Sequence, residues 1–219
     1  TKKGEFQKYH IYQTPLEIII IKFAGRSDFV LKHQAKIFES ITLKTPTNDT
    51  QLFVAPNKKF EVDFPKYYVS SNMHNYGKKL IEGHKDDAYY FVEEAVLNDM
   101  SYIEEDSFEA KYFHHALYKN YKLEEVDGGF KAGDYKTYES RAILDSTSNK
   151  NLHLKTIVKD GSYYLLGYVG SNEDDKSAFF KSFKFNKTDY SGFRKVIDTT
   201  LHFSVNTNSK APAPNLAAV

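Results

Sequence analysis

Histidine and carboxylate side chains come closest to a metal site in residues 104–115. His114 and His115 follow Glu104, Glu105 and Asp106, and imidazole and carboxylate groups are common ligands of zinc. Adjacent residues on a helix diverge by about 100°, however, so the two imidazoles cannot converge on one ion without ligands from elsewhere. We interpret both as solvated or edge-packed histidines, and no metal site is predicted.

The sequence lacks the common motifs of catalytic and nucleotide-binding sites. It contains no Gly-x-Ser-x-Gly elbow, no His-Glu-x-x-His, no phosphate loop and no Gly-x-Gly-x-x-Gly. Residues 128–133 are glycine-rich but lack the Lys-Ser/Thr of a nucleotide site, so they are interpreted as a turn. The neighbours Glu93 and Glu94 would point to opposite faces of a strand, so they do not form a pair of catalytic carboxylates. We therefore predict no catalytic residue and no cofactor.

Tyrosine doublets provide the one candidate recognition surface. Tyr89-Tyr90 and Tyr163-Tyr164 fall in segments with strand character, and in each doublet one ring points into the core and the other away from it. The outward rings could form an aromatic surface that binds a sugar or a peptide. Alternatively, they lie under helices or cover the second face of a sheet.

Charge and composition restrict the class of partner. The 30 Lys and Arg residues nearly balance the 29 Asp and Glu residues, for a net charge of +1, which disfavours nucleic acid and anionic membranes as partners. The longest aliphatic run, residues 18–21, is far shorter than the roughly 18 to 20 apolar residues of a membrane-spanning helix. Direct membrane insertion is therefore not expected, and a protein partner is favoured.

Aromatic residues are unusually frequent, with 17 Tyr, 17 Phe and no Trp. This composition suits half-buried sheet surfaces. The absence of cysteine excludes disulfides and thiolate metal sites, so the fold must depend on its hydrophobic core.

An internal repeat organises the chain. Residues 35–43 (Ala-Lys-Ile-Phe-Glu-Ser-Ile-Thr-Leu) are echoed by residues 177–185 (Ser-Ala-Phe-Phe-Lys-Ser-Phe-Lys-Phe), with Ser40 and Ser182 equivalent. Upstream, residues 16–25 match residues 161–170, and residues 7–13 match residues 152–158. Each copy thus ends in strand, tight turn, strand, loop and short helix.

The repeat leads to three expected segments. Residues 1–45 are the C-terminal hairpin and helix of a preceding, incomplete repeat; residues 51–187 are a complete domain; residues 188–219 are a strand (198–205) and a Pro/Ala/Asn-rich linker. Alternatively, the N-terminal hairpin and helix are an additional layer of a single domain. The start at Thr1 suggests either a mature protein or a piece of a longer one.

Local patterns predict an α+β fold in which helices pack on an antiparallel sheet. Residues 59–65 alternate charged and apolar side chains up to a proline, and residues 76–83 and 88–97 form a hairpin around a polar loop. A helix is expected from Ser107 to about Glu124, with Tyr112 and Phe113 on its buried side, His114 and Tyr118 opposite, and Asp127-Gly128-Gly129 at its end. Strands over residues 135–144, 152–158 and 162–170 and a helix over 177–183 complete the domain.

The order of these elements resembles the PsbP-like α/β sandwich. The resemblance covers residues 55–186 and depends on the opening Phe-x-Val-x-Phe-Pro (60–65) and the closing Phe-Phe-x-Ser-Phe-x-Phe (179–185), which recurs in part at 35–43. It implies an extracytoplasmic accessory or interaction domain, in the periplasm or at the cell surface, of the kind that occurs in tandem in larger envelope proteins. The resemblance implies no catalytic residue in this chain.

The sequence therefore favours a non-enzymatic binding or scaffolding module within a larger multi-domain protein. The alternative is a hydrolase or small-ligand carrier whose site is assembled from residues distant in sequence. Homo-oligomers through sheet edges are compatible with the first hypothesis, because the N-terminal hairpin exposes unpaired edges unless something covers them.

Overall fold

The computed structural model describes residues 5–73, 77–96, 106–145, 147–159, 161–187, 191–198 and 203–207. In these ranges the strands are β1 (Glu5–Gln13), β2 (Ile18–Arg26), β3 (Thr50–Val54), β4 (Phe60–Pro65), β5 (Tyr68–Met73), β6 (Lys78–Lys85), β7 (Ala88–Val96), β8 (Glu125–Lys131), β9 (Thr137–Asp145), β10 (Lys150–Lys159), β11 (Ser162–Gly170), β12 (Lys184–Phe185), β13 (Arg194–Asp198) and β14 (Phe203–Thr207). The helices are α1 (Ser27–Glu39), α2 (Asp106–Tyr121) and α3 (Glu173–Ser182).

A seven-stranded antiparallel sheet forms the centre of the fold, with the strand order β5-β6-β7-β11-β10-β9-β8. Its middle strand, β11, is buried along almost its whole length. That burial explains why residues 163–169 are almost continuously apolar or aromatic, since a strand covered on both faces has no polar side.

One face of this sheet is covered by α3 and by a small three-stranded sheet, β12-β4-β3. Phe64 of β4 is fully buried there, and its ring contacts Tyr90 of β7 and Phe179 of α3. Gly83 of β6 leaves the space that this ring fills, because a Cβ on Gly83 would lie 2.7 Å from Phe64 Cε1. This aromatic cluster is the larger of two cores.

The opposite face is covered by α2, which lies across β8, β9 and β10. The second core combines Tyr118 of α2 with Leu154, Tyr163 and Leu165 of the sheet. Helices therefore pack on both faces of an antiparallel sheet, and the predicted α+β fold class is confirmed.

The N-terminal hairpin β1–β2 forms its own two-stranded sheet, on which α1 packs. A hydrogen bond joins this hairpin to the central sheet. The Tyr89 hydroxyl of β7 donates to the carbonyl oxygen of Pro15, which lies in the turn between β1 and β2 (2.8 Å). A second hairpin, β13–β14, also forms a separate sheet.

Three local predictions were wrong. Asp127, Gly128 and Gly129 do not end the helix but lie in strand β8, paired with β9. Residues 194–198 and 203–207 form two paired strands where one strand over 198–205 was expected. Helix α3 begins four residues before the expected Ser177, because the Asn172 side chain accepts hydrogen bonds from Asp174 N (2.9 Å) and Asp175 N (3.3 Å) and caps it.

Two corrections concern the packing face of α2. Among the described side chains of α2, Ala110, His114 and Tyr118 are buried and Tyr112 is exposed, whereas the sequence predicts Tyr112 on the buried side and His114 and Tyr118 opposite. Several features of the sequence lie outside the described residues. They are the expected strand ends Tyr76 and Leu97, the acidic pair Glu104-Glu105, the scattered histidines His74 and His202, and residues 208–219 of the expected linker.

Candidate functional site

The tyrosine doublets are distributed between the core and the surface. Tyr90, Tyr163 and Tyr164 are buried, whereas Tyr89 is 39% exposed. Tyr163 stacks on Phe113 of α2, and Tyr164 contacts Phe60 on the other side of the sheet. Of the four rings, Tyr89 is the one at the surface, where it contacts His84 and the turn at Pro15.

His114 is fully buried between α2 and the sheet, where the sequence had suggested a solvated or edge-packed ring. Its Nδ1 lies 2.6 Å from Ser140 Oγ and its Nε2 lies 2.9 Å from Thr156 Oγ1. The Tyr118 hydroxyl also lies 2.6 Å from Ser140 Oγ. Burial, with a smaller contribution from the neighbouring His115, lowers the pKa of His114 to about 3, so the imidazole is neutral at pH 7.

Ser140 and His114 lie as close together as a nucleophile and its base. Their side chains are buried, however, so a substrate has no access to them. A nucleophile must reach its substrate, and both side chains are buried under α2. Both imidazole nitrogens already have hydroxyl partners. The arrangement is therefore a satisfied polar network inside the second core.

His115 points away from this network. Its Nε2 lies 2.8 Å from Glu125 Oε2 of β8. Among the described residues, no group of three or more His, Asp or Glu side chains is arranged to hold a metal ion. In the same ranges, no helix combines the length and the apolar character needed to cross a bilayer.

A long groove lies on the face of the sheet that carries α3. There α3 and the small sheet cover only part of the face, and β8, β9 and β10 form the floor of two adjoining cavities of about 490 and 310 Å³. Both cavities are lined by Lys131 and Glu139. We call them the aromatic end and the polar end of the strand–helix groove.

Strand registry determines which side chains form the floor. Lys155 of β10 is opposite Glu139 of β9, which in turn is opposite Gly129 of β8. The next row consists of His153, Arg141 and Asp127. Alternate residues of a strand share a face, so these side chains lie on the same face as Leu166 and Tyr168 of β11, which are opposite Lys155 and His153. The two rows extend from there beyond the edge of the buried core.

The aromatic end is the larger cavity and is lined by Tyr135, Phe183 and Phe185 together with lysines. The rings of Tyr135 and Phe185 meet edge to face, 4.9 Å between centroids. The ammonium group of Lys159 lies 4.5 Å from the Phe185 ring centre and 5.4 Å from that of Tyr135. Cations and ring faces therefore lie side by side here.

The polar end is lined by charged side chains of both signs, some of them in ion pairs. Glu173 of α3 accepts from Lys176 Nζ (2.6 Å) and lies 3.2 Å from His153 Nε2. The hydrogen bond from Lys176 lowers the pKa of Glu173. Burial lowers the pKa of His153, although the nearby Glu173 carboxylate acts in the opposite direction.

The groove is bounded by an edge strand. Strand β8 is the last strand of the sheet, so its outer backbone groups are not part of the ladder. A register shift between Glu125 and Asp127 leaves Val126 as an extra, exposed residue, the mark of a β-bulge. At Gly129 an added Cβ would meet no atom within 4 Å, so the backbone is accessible from the groove.

A third cavity, of about 380 Å³, lies on the α2 face. It is mostly apolar, with Phe91, Leu117 and Leu152 among its lining residues, and Glu82 and Glu93 contribute carboxylates. Glu93 accepts hydrogen bonds from Lys78 Nζ (2.8 Å) and from the Tyr163 hydroxyl. Burial would lower the pKa of Lys78, but its hydrogen bonds to Glu93 and Tyr163 outweigh burial and raise it.

Sequence reasoning missed the strand–helix groove, although one signal was available. Residues 152–158 read Leu-His-Leu-Lys-Thr-Ile-Val, so His153 and Lys155 fall on one side of a strand whose remaining residues, apart from Thr156, are apolar. Polar residues on one face of a central strand indicate a face that is not fully covered.

No protein-family model matches the sequence, and no curated protein matches it either. Among solved structures, the chain is similar to the solution structure of cyanobacterial PsbP from Synechocystis sp. PCC 6803. The two share 11% sequence identity with a TM-score of 0.46, and the match covers 67% of this chain and 98% of that one. The neighbour belongs to the family that the sequence resembles.

Proposed function

We propose that this protein is a non-catalytic binding module that holds a segment of a protein partner in the strand–helix groove. The observation that carries the proposal is the groove itself, open on the floor formed by β8, β9 and β10, whereas Tyr90 and Val92 of β7 and Tyr164 and Leu166 of β11 are buried on the same face. Its two cavities are of the size that ligand sites have. The side chains of Ser140 and His114, the chemically suggestive pair, are buried and hydrogen-bonded to each other, to Tyr118 and to Thr156.

Charges of both signs favour a polypeptide over a ligand of one charge. The polar end alone presents Arg141 and Lys176 beside Asp127 and Glu173. Such a surface can match alternating side chains of an extended segment, and the outer edge of β8 offers backbone hydrogen bonds to the same segment. The function is therefore assigned to recognition.

Blocking the groove at Gly129 should weaken peptide binding. Peptides are first selected from a random display library on the intact protein, and their affinity is then measured by calorimetry. In Gly129→Leu, the new side chain enters open space in the groove, so we expect binding at least tenfold weaker with an unchanged melting temperature. Gly192→Leu is the matched control, since Gly192 also has open space around it and does not line the groove. Equal affinity in both variants would contradict the proposal.

The extracytoplasmic location and the membership of a larger multi-domain protein belong to the same proposal. They rest on the resemblance of residues 55–186 to the PsbP-like sandwich, whose members act as accessory or interaction domains outside the cytoplasm. An interaction domain of this kind needs a recognition surface and no reaction centre.

The same proposal takes residues 1–45 as the C-terminal part of an incomplete repeat. Ser40 Oγ donates to the Ile37 carbonyl (2.7 Å) just as Ser182 Oγ donates to the Phe179 carbonyl (2.8 Å), each at the end of its helix. Both hairpins are followed directly by a helix that packs near them. These shared details support equivalence of the two units.

The face of the hairpin that points away from α1 lacks the cover that its counterpart has. Ile18 and Ile20 align with Tyr163 and Leu165, which are buried in the core beneath α2, yet Ile18 is 69% and Ile20 62% exposed. Strands β10 and β11 are flanked by β9 and β7, whereas β1 and β2 pair with each other as a two-stranded sheet. Exposed edges next to an apolar face favour association.

Self-association through this hairpin is therefore expected. The sedimentation coefficient of the parent chain should rise with concentration, and Ile18→Lys/Ile20→Lys should remove that rise, because two charges on an open face oppose burial without touching the core. Leu52→Lys/Val54→Lys places two charges at exposed apolar positions of another strand and should leave the rise intact. A parent chain whose sedimentation is independent of concentration would refute association.

A further inference from the structure

The aromatic end of the strand–helix groove carries an excess of positive charge. Lys131, Lys155 and Lys184 line it, with Glu139 and Asp134 as the acidic residues. Glu139 lies 3.5 Å from Lys155 Nζ, so its charge is already balanced. The ammonium group of Lys159 adds a further cation beside the rings.

Two of these lysines are available to a ligand. Lys131 and Lys184 are exposed, and neither side chain forms an ion pair within the described ranges. Lys155 Nζ, in contrast, already donates to the Phe180 carbonyl (3.3 Å). A negative charge in the cavity would therefore meet Lys131 and Lys184 from two sides, one on strand β8 and the other on β12.

The apolar part of the lining sets the second requirement. Ile157, Phe183 and the edge-to-face pair of Tyr135 and Phe185 provide apolar surface in the same cavity. Aromatic rings prefer partners that can stack or meet them edge to face. A small inorganic anion would satisfy the lysines but leave this surface uncovered.

We propose that the aromatic end takes an aromatic ring that bears an adjacent carboxylate. This inference rests on the proposed function and names the part of the bound segment that enters this cavity. A protein segment can supply such a group in two ways, through a C-terminal aromatic residue with its free carboxylate or through an acidic residue next to an aromatic one. In both cases the ring meets Tyr135 and Phe185, and the carboxylate meets Lys131 and Lys184.

The test compares small probes of matched shape and opposite charge on the intact chain. In two-dimensional NMR titrations, 3-phenylpropionate should shift the amides of Lys131, Tyr135 and Lys184 and bind at least tenfold more tightly than 3-phenylpropylamine. Its affinity should fall as salt is raised, because exposed charges are screened. Equal affinity for the two probes, or shifts confined to other surfaces, would overturn the inference.

Variants assign the effect to these lysines. Lys131→Gln/Lys184→Gln should weaken 3-phenylpropionate at least fivefold, whereas Lys111→Gln/Lys119→Gln, two exposed positions on α2, should leave it unchanged. A loss of equal size in both double variants would overturn the inference, because it would reflect net charge alone.

Peptides separate the two sources of the carboxylate and the two proposals. A short peptide ending in Phe should lose affinity on C-terminal amidation if the free terminus is the source, and an internal Asp-Phe peptide should be insensitive to it. If library peptides are blocked by Gly129→Leu but show no preference for acidic aromatic groups, the binding function stands and this inference fails. If 3-phenylpropionate binds as expected while Gly129→Leu blocks no peptide, the proposed peptide function fails and the carboxylate site stands.

Discussion

Replacing Phe64 with alanine should lower the free energy of unfolding by about 3–5 kcal/mol, the usual cost of removing a buried phenylalanine ring. The ring is fully buried and contacts Phe53, Tyr90 and Phe179, so its loss leaves a cavity where the small sheet, the central sheet and α3 meet. Urea denaturation followed by circular dichroism gives the change directly.

Leu52→Ala is the matched control, because Leu52 lies on the neighbouring strand β3 but is exposed. Its effect should stay within about 0.5 kcal/mol, as is usual for surface substitutions. If Phe64→Ala cost no more than Leu52→Ala, the packing of the small sheet against the central sheet would be contradicted.

Gly83 provides an independent check of the same contact. Gly83→Ala alone should destabilise the protein, because the new Cβ would lie 2.7 Å from the Phe64 ring. In the Phe64→Ala background the same change should cost less, since the ring it meets is gone and Pro65 Cγ, 3.0 Å from the new Cβ, is the remaining close atom. Additive effects in this double-mutant cycle would show that the two residues do not touch.

Acidification should weaken the protein through His114. The unfolded chain binds a proton on this histidine near its ordinary pKa of 6.5, whereas the buried imidazole binds one only at about pH 3. Between these values the unfolded state holds the extra proton, so stability that is complete above pH 6.5 is lost as the pH falls. The slope due to this group approaches about 1.4 kcal/mol per pH unit.

The measurement is the urea midpoint from pH 7 to pH 4 in the parent, in His114→Gln and in His115→Gln. His153 also has a lowered pKa, so it too makes the urea midpoint fall as the pH falls. The contribution of His114 is therefore the difference between the slopes of midpoint against pH in the parent and in His114→Gln. His114→Gln should show the shallower slope whatever its stability at pH 7. His115→Gln should stay close to the parent slope, because it keeps His114 buried and burial is the main cause of its lowered pKa. Equal slopes in all three proteins would contradict burial of His114.

Local pattern predicted those parts of the fold in which neighbours in sequence decide the structure. The alternation of Phe60, Val62 and Phe64 with charged residues placed strand β4 within one residue of its observed start and at its observed end, and the strand expected over residues 162–170 has the bounds of β11. Both patterns report burial of the strand itself, which is a property of a few consecutive residues.

Prediction failed where a partner far along the chain decides the outcome. Gly128 and Gly129 have the composition of a helix C-cap, but pairing with β9 draws them into an edge strand. His114 and Tyr118 were placed opposite the apolar residues of α2, yet Ser140 and Thr156 on other strands supply the hydrogen bonds that make their burial favourable. The strand–helix groove has the same origin, since its lining comes from β8, β9, β10, β12 and α3 together.

The polar network around His114 has a consequence for how α2 is placed lengthwise on the sheet. Its buried residues Ala110, His114 and Tyr118 are spaced four apart, so sliding the helix by one turn would present a side chain of another kind at each of these positions. Apolar contacts alone tolerate such a shift, because they have little directional preference. The bonds from one imidazole to Ser140 and Thr156 do not tolerate it. The histidine therefore sets the translational register of α2.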